Sequence, residues 1–254
     1  MMGKDKLRKF RENETFGCLI QPATEQVLGV DHPLKGNWGR EVFGNDNPIV
    51  VELGCGKGEY TIDLALRNPD FNYIGVDIKG ARLWKGAKYA TEHRLPNVAF
   101  LRTRIEFICS LFAENEVSEI WITFADPQIG REKKRLTSPL FMERYRKFLK
   151  SGGIVHLKTD SEILHEYSYA MARQNGLKIL AEAKDIYGAD RERLYGSELG
   201  SICGRAAVDA LFEVQTFYEQ QYLARGIKIT YLSFLIDKSS PYLSPVWDES
   251  LYDR

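Results

Sequence analysis

The sequence has little that would staple it together. Its 254 residues include four cysteines, at positions 18, 55, 109 and 203. No two stand in CxxC spacing, which points to neither a zinc site nor a disulfide framework. Thiols this sparse are expected to be reduced and structural, as in a cytoplasmic protein. No apolar run nears the roughly 20 residues that cross a bilayer. The basic stretch at residues 1–11 lacks the apolar core of a signal peptide. The expectation is a soluble, cytoplasmic chain with no membrane partner. The four histidines (His32, His93, His156, His165) share no metal-ligand spacing, so no metal is expected. An excess of one charge is missing too: 35 Lys+Arg balance 35 Asp+Glu, with a pI of about 6.9. That excludes a histone-like basic protein. It leaves nucleic-acid enzymes open, because binding depends on where the charges sit.

What is present is an ordinary globular composition, 44% hydrophobic and 28% charged, in a chain long enough for one to two domains. Residues 1–47 are polar and glycine-rich, and read as an N-terminal arm with a short helix. From Pro48 short β-branched runs alternate with helical stretches. Strands are expected at 49–53, 71–77, 98–101, 119–124, 154–158, 177–181 and 228–236. Helices are expected at 58–67, 80–94, 105–113, 139–149, 161–174 and 216–225. This alternation predicts an α/β, doubly wound, Rossmann-like fold: a mostly parallel seven-stranded sheet with helices on both faces. The expected organisation is an arm (1–47), one domain (48–236) with a peripheral excursion at 184–215, and a loosely held tail (237–254).

Chemistry concentrates at strand ends. Glu52-Leu53-Gly54-Cys55-Gly56-Lys57-Gly58 joins the first strand of the domain to its helix. Glycines there permit positive φ and let a ligand approach the backbone. The spacing is GxGxG, not the GxGxxG of dinucleotide sites. Glu52 would sit badly beside a pyrophosphate but suits a cationic ligand such as S-adenosylmethionine. Asp77 ends the next strand, where a carboxylate accepts ribose hydroxyls. A tight turn and a helix cap are the plain alternatives for these positions. Asp126 stands before Pro127 at a later strand end, either as a site residue or as a turn starter. After it, residues 131–150 hold eight basic side chains against two acidic ones. Arg131, Lys133, Lys134 and Arg135 form a basic loop, read as a phosphate-binding patch or a solvated face.

These segments resemble the bacterial-type tRNA (guanine-46-N7)-methyltransferases, members of the class I S-adenosylmethionine-dependent fold. The resemblance covers about 48–236. It is carried by Val51 to Gly58, Asn72 to Asp77, Phe124-Ala125-Asp126-Pro127, the basic loop, Leu149 to Gly153, Lys158-Thr159-Asp160 and Thr216-Phe217-Tyr218-Glu219. It implies S-adenosylmethionine as cofactor and tRNA as partner. It assigns Glu52, Gly54, Gly56, Gly58 and Asp77 to the cofactor, with Asp126 at the catalytic centre touching cofactor and guanine. Asp160, Thr216 and Glu219 go to the target nucleoside. Two positions depart from the family pattern. Arg104 stands about where an Asp contacts the adenine, so Arg104 or backbone takes that place. Gln128 and Gly130 replace a Trp and a Lys, so Arg131 is expected to supply the basic group.

Guanine N7 has an in-plane lone pair and no proton, so its methylation needs no general base. Alignment and electrostatics do the work. Asp126 is therefore expected to orient the base and to stabilise positive charge developing on the purine. Asp126 or Asp160 can accept from guanine N1–H and N2–H. Thr216-x-x-Glu219 also fits a helix capping box, and Asp160 also fits a helix cap. Trp84, Trp121 and Tyr145 are read as core residues. A methyltransferase acting on another RNA, a protein or a small molecule, a nicotinamide-dependent dehydrogenase, and a non-catalytic RNA-binding protein are the competing classes. Monomer and homodimer are both left open.

Overall fold

The computed structural model of the chain describes residues 2–188, 191–237 and 239–252. It forms two compact units, Met1–Ile120 and Trp121–Arg254.

The first unit contains α1 (Met2–Asn13), β1 (Leu19–Ile20), β2 (Ile49–Leu53), α2 (Glu59–Arg67), β3 (Asn72–Asp77), α3 (Gly80–Glu92), β4 (Val98–Arg102) and the start of β5 (Val117–Thr123). Strands β1, β4, β3 and β2 lie side by side in that order, all parallel. Every residue of β2 and β3 is buried, as expected of parallel strands covered on both faces. Phe100 on β4 is fully buried and lies against three glycines. A Cβ at Gly58, Gly75 or Gly86 would come within 2.4, 2.8 and 2.5 Å of its ring. The ring takes the volume those side chains would need, and so sets how closely the loop after β2 and helix α3 approach β4.

The first 47 residues are more ordered than a polar arm. Asn13 donates to the Gly80 carbonyl at 2.9 Å. The Trp84 indole donates to Glu12 at 2.7 Å, which docks α1 on α3. Trp38 is fully buried, stacks on Phe112 and donates to the Leu111 carbonyl at 2.8 Å. The helix expected at 105–113 is a short 3-10 segment, Ile105–Ser110, with one buried side chain, Ile108. The chain leaves this segment at Leu111, and Leu111 and Phe112 are buried outside it, with Phe112 against Trp38.

The second unit contains the end of β5, then α4 (Pro139–Tyr145), β6 (Leu149–Thr159), α5 (Glu162–Gln174), β7 (Ile179–Ala183), α6 (Arg191–Tyr195), α7 (Glu198–Cys203), α8 (Arg205–Glu213), α9 (Phe217–Ala224) and β8 (Thr230–Leu235). Strand β8 is antiparallel to both β6 and β7. The α/β doubly wound class holds, with eight described strands where seven were expected. The extra one, β1, is two residues long, too short for an alternation to show. The excursion at 184–215 carries three short helices whose Leu194, Leu199, Val208 and Leu211 are buried. It is part of this unit's core. Leu243, Trp247 and Glu249 are also held. Asn175 and Leu243 exchange two hydrogen bonds at 2.8 Å. Trp247 meets Tyr167 edge-on at 5.7 Å, and Glu249 pairs with Arg135.

Candidate functional site

In the first unit the loop after β2 is built on positive φ at Gly54 (80°), Gly56 (58°) and Gly58 (73°), conformations that glycine adopts without penalty. The Gly54 and Cys55 amides both donate to the Val76 carbonyl, at 2.8 and 3.0 Å. Asp77, 8% exposed, accepts from the Gly56 amide at 3.0 Å and from the Lys79 amide at 2.7 Å. Its carboxylate therefore ties the glycine loop to the strand end of β3. Glu52, 3% exposed, accepts from the Thr61 amide at 2.9 Å and from the Thr61 hydroxyl. Thr61 lies in the first turn of α2, where amides lack intrahelical partners and the helix dipole favours an anion. Burial, and then the charges of Glu52 and Asp77, push the Cys55 thiol well above its ordinary pKa, so it stays protonated.

These residues fit a nucleoside cofactor bearing positive charge. A Cβ built on Gly54 or Gly56 meets nothing within 4 Å, so the backbone there is open to a ligand, with two carboxylates held beside it. Arg104 is different. Its guanidinium donates to Glu106 at 3.2 Å and lies over the Phe107 ring at 5.7 Å, so its side chain is engaged within its own turn.

In the second unit, Phe124 N–H donates to the Lys158 carbonyl at 2.9 Å. Asp126 and Asp160 each stand two residues beyond that pair, past the carboxyl ends of β5 and β6. Ligands of open α/β sheets bind at this edge. Asp126 is exposed and accepts from the Gln128 amide at 2.9 Å. The turn is strained: Phe124 and Gln128 have φ of 49° and 51°. A bulky residue in this region costs about 1–3 kcal/mol, and such strain clusters at functional sites. Asp160 is half-buried, and desolvation raises its pKa. It lines a cavity of about 380 Å³ with Glu162, His165, Glu166, Lys184 and Lys228 among its walls.

The basic loop divides. Arg131, Lys133 and Lys134 are exposed around a 3-10 turn. Arg135 is fully buried: it donates to the Pro127 carbonyl at 2.8 Å, pairs with Glu249 and lies over Tyr167 at 4.4 Å. Its expected place in a phosphate-binding patch is corrected. Its planar fork is held by the Pro127 carbonyl, Glu249 and the Tyr167 ring and does not face solvent.

Glu219, expected at the nucleoside, is also turned inward. It is fully buried and pairs with the equally buried Lys158 at 2.7 Å. It accepts from the Tyr187 hydroxyl at 2.7 Å and from the Thr216 amide at 3.4 Å. With Thr216 Oγ1 accepting from the Glu219 amide at 3.2 Å, the capping box of α9 is complete. Thr216 remains half-buried at the start of α9. Lys158 also donates to the Leu211 and Val214 carbonyls, at 2.8 and 3.0 Å. Burial, partly offset by Glu219, lowers its pKa to about 8. Lys158 and Tyr187 are the residues that sequence reasoning gave no role. Lys158 was visible as part of the Lys158-Thr159-Asp160 segment that carries the resemblance, in a run whose residues are all buried, His156-Leu157-Lys158-Thr159. Trp121 and Tyr145 are buried as core residues, while Trp84 lies under the side chains of Arg8, Lys9 and Lys88.

A glycine loop flanked by two braced acids, Glu52 before it and Asp77 after it, with further acids at later strand ends, is the layout of a class I methyltransferase. Solved structures agree on the fold. An antibiotic-related methyltransferase matches with a TM-score of 0.53 at 18% identity, covering 77% of this chain and 90% of that one. The 16S rRNA methyltransferase KamB matches with a TM-score of 0.51 at 14% identity, covering 78% and 92%. Residues 46–194 match the family model Methyltransf_4, described as "Putative methyltransferase". A tRNA (guanine-N(7)-)-methyltransferase of Christiangramia forsetii is 52% identical over 238 residues, 93% of this chain and 100% of the relative. One from Bacteroides fragilis is 47% identical over 244 residues, 96% and 90% of the two chains. The chain belongs to the tRNA (guanine-N(7)-)-methyltransferase family.

Proposed function

We propose that this protein methylates N7 of a guanine in tRNA, the variable-loop guanosine of the family it resembles, and leaves 7-methylguanosine there. The observation that carries the reading is the identity of 52% along the full length of a relative of that name. The strand-end carboxylates agree with it. When bound, S-adenosylmethionine supplies an electrophilic methyl group carried on a sulfonium. Gly54 and Gly56 leave the backbone open beside it, Asp77 offers its remaining lone pairs to ribose hydroxyls, and Glu52 adds negative charge.

The protein's own work is placement. N7 attacks with its lone pair and has no proton to lose, so no side chain need act as a base. Asp160 accepts from the guanine Watson–Crick edge, where adenine offers no matching N1–H donor. Asp126, exposed on its strained turn, orients the base and offsets the positive charge that grows on the purine. Thr216 is presented by the α9 cap. Glu219 acts one step back, holding that cap against Lys158. Arg131, Lys133 and Lys134 meet the tRNA backbone, and the reaction runs in the cytoplasm, where tRNA resides.

The test is incubation of the purified protein with labelled S-adenosylmethionine and unmodified tRNA, followed by nucleoside analysis. Label in 7-methylguanosine is expected. Label in a different methylated nucleoside would overturn the substrate assignment and keep the class.

A further inference from the structure

Phe124 is the first residue after β5 and holds a left-handed backbone, with φ of 49°. Glycine would adopt it freely, yet a large aromatic stands there, half-buried. Its ring faces Tyr222 on α9, with centroids 6.2 Å apart and planes inclined by 34°. Tyr222 is half-buried as well. Thr216, Glu219 and Tyr222 follow at three-residue spacing, which keeps them along one side of α9. Partial desolvation, and then the charge of Asp160, raises the Tyr222 phenol above its ordinary pKa. Among the described residues the Tyr222 hydroxyl has no hydrogen-bond partner. Two half-buried aromatic rings thus meet at the carboxyl end of β5: Phe124, two residues before Asp126 in the chain, and Tyr222, three residues after Glu219 on α9.

We propose that Phe124 and Tyr222 form an aromatic wall on which the target guanine lies, and that this wall favours the cationic purine that forms as N7 is alkylated. The proposal rests on the guanine-N7 reading above. An aromatic face is electron-rich and attracts cations. Neutral guanine gains only stacking from it. The purine acquires positive charge as the N7–carbon bond forms and the methyl–sulfur bond of the donor breaks, its electron pair staying on the sulfur as a neutral thioether, so the same contact strengthens in the transition state. An interaction that grows along the reaction raises kcat instead of merely lowering KM. The wall then complements the carboxylates: they act in the plane of the base, and it acts on the face.

The experiment uses the whole protein and two kinds of measurement. In turnover with tRNA, Tyr222→Leu is expected to lower kcat about ten-fold with KM for tRNA changed less than about three-fold. Tyr222→Phe keeps the face and should stay near the wild type. In binding without cofactor, the wild type should hold 7-methylguanosine 5′-monophosphate several-fold more tightly than guanosine 5′-monophosphate, and Tyr222→Leu should lose that preference. Phe124→Leu serves the same two measurements if Tyr222→Leu does not fold. A wild type that binds the two nucleotides equally overturns the proposal, as does a leucine variant with undiminished kcat. A Tyr222→Phe variant as impaired as Tyr222→Leu overturns it too, because the hydroxyl would then be what matters. A wild type that leaves no 7-methylguanosine in tRNA overturns the guanine-N7 reading itself. One that makes it, while Tyr222→Leu matches it, overturns the wall alone.

Discussion

In the first unit Glu52 and Asp77 are both nearly buried and already bonded to backbone amides, at Thr61, Gly56 and Lys79. In the second unit Asp126 is exposed and Asp160 half-buried. The inward role there falls to a different acid, Glu219, through its pair with Lys158. The contrast follows from what each half is proposed to meet. A small cofactor of fixed shape is best met by a loop fixed in advance, and acids bonded to its amides provide that. A nucleotide arriving as part of a large RNA needs acids that stay accessible, which must then be aimed by other residues. The difference separates acids that shape the site from acids that act in it, and each class answers differently to substitution.

The largest effect is expected where an acid shapes the protein most deeply. Lys158→Met leaves the Glu219 charge buried without its cation, and should cost about 3–5 kcal/mol in a urea titration. Replacing both partners by apolar residues should recover most of that loss. A Lys158→Met variant of unchanged stability would place Glu219 among the acting acids and break the contrast. Asp126→Asn tests the other class. It should lower kcat about 10²-fold while stability stays within about 0.5 kcal/mol. Full turnover with tRNA would remove Asp126 from the centre.

The pH dependence of stability sharpens the same point. Lys158 holds its proton less tightly folded (pKa about 8) than its ordinary value of 10.5. Between those values the unfolded chain binds the extra proton, so this group makes stability rise with pH from about 8 toward 10, by up to ~1.4 kcal/mol per unit. Tyr187, whose pKa burial and Glu219 raise, pulls the other way above its unfolded pKa near 10. Denaturant titrations across that range should show the rise in the wild type and its loss in Lys158→Met. The smallest effect concerns the basic loop. Lys133→Ala with Lys134→Ala should reduce the slope of log affinity for tRNA against log salt by about 2. Arg135→Ala should lower stability and leave the slope nearly alone. An unchanged slope in the double variant would make the exposed lysines a solvated surface.

Much of the first unit was legible because its signals are local. The runs at 49–53 and 71–77 are mostly apolar, as buried parallel strands are, with their acids at or near the strand ends, and the glycine loop lies where positive φ is needed. The Thr216–Glu219 box is equally local and reads off the sequence at three-residue spacing. What escaped depends on distant partners. Arg135 looks like its basic neighbours until Glu249, 114 residues on, is seen to pair with it. Lys158 looks like an exposed strand residue until the carbonyls at 211 and 214 and the acid at 219 close around it. The helices at 184–215 are short, and their buried leucines have a use only once β7 is beside them. A charge says nothing in sequence about whether it will be solvated, which is why candidate acids and bases can be named from the sequence and their orientation cannot.

The strap formed by the chain's end has a practical side. Glu249 accepts from the Gly130 amide as well as from Arg135, so it grips both ends of the short turn that displays Arg131, Lys133 and Lys134. A cut made after Ile236, whether by a protease or by cloning, would release that turn while leaving every strand intact. Preparations trimmed at this end would lose stability along with the Arg135–Glu249 pair and would misreport affinity for tRNA, so the untrimmed chain is the one to assay.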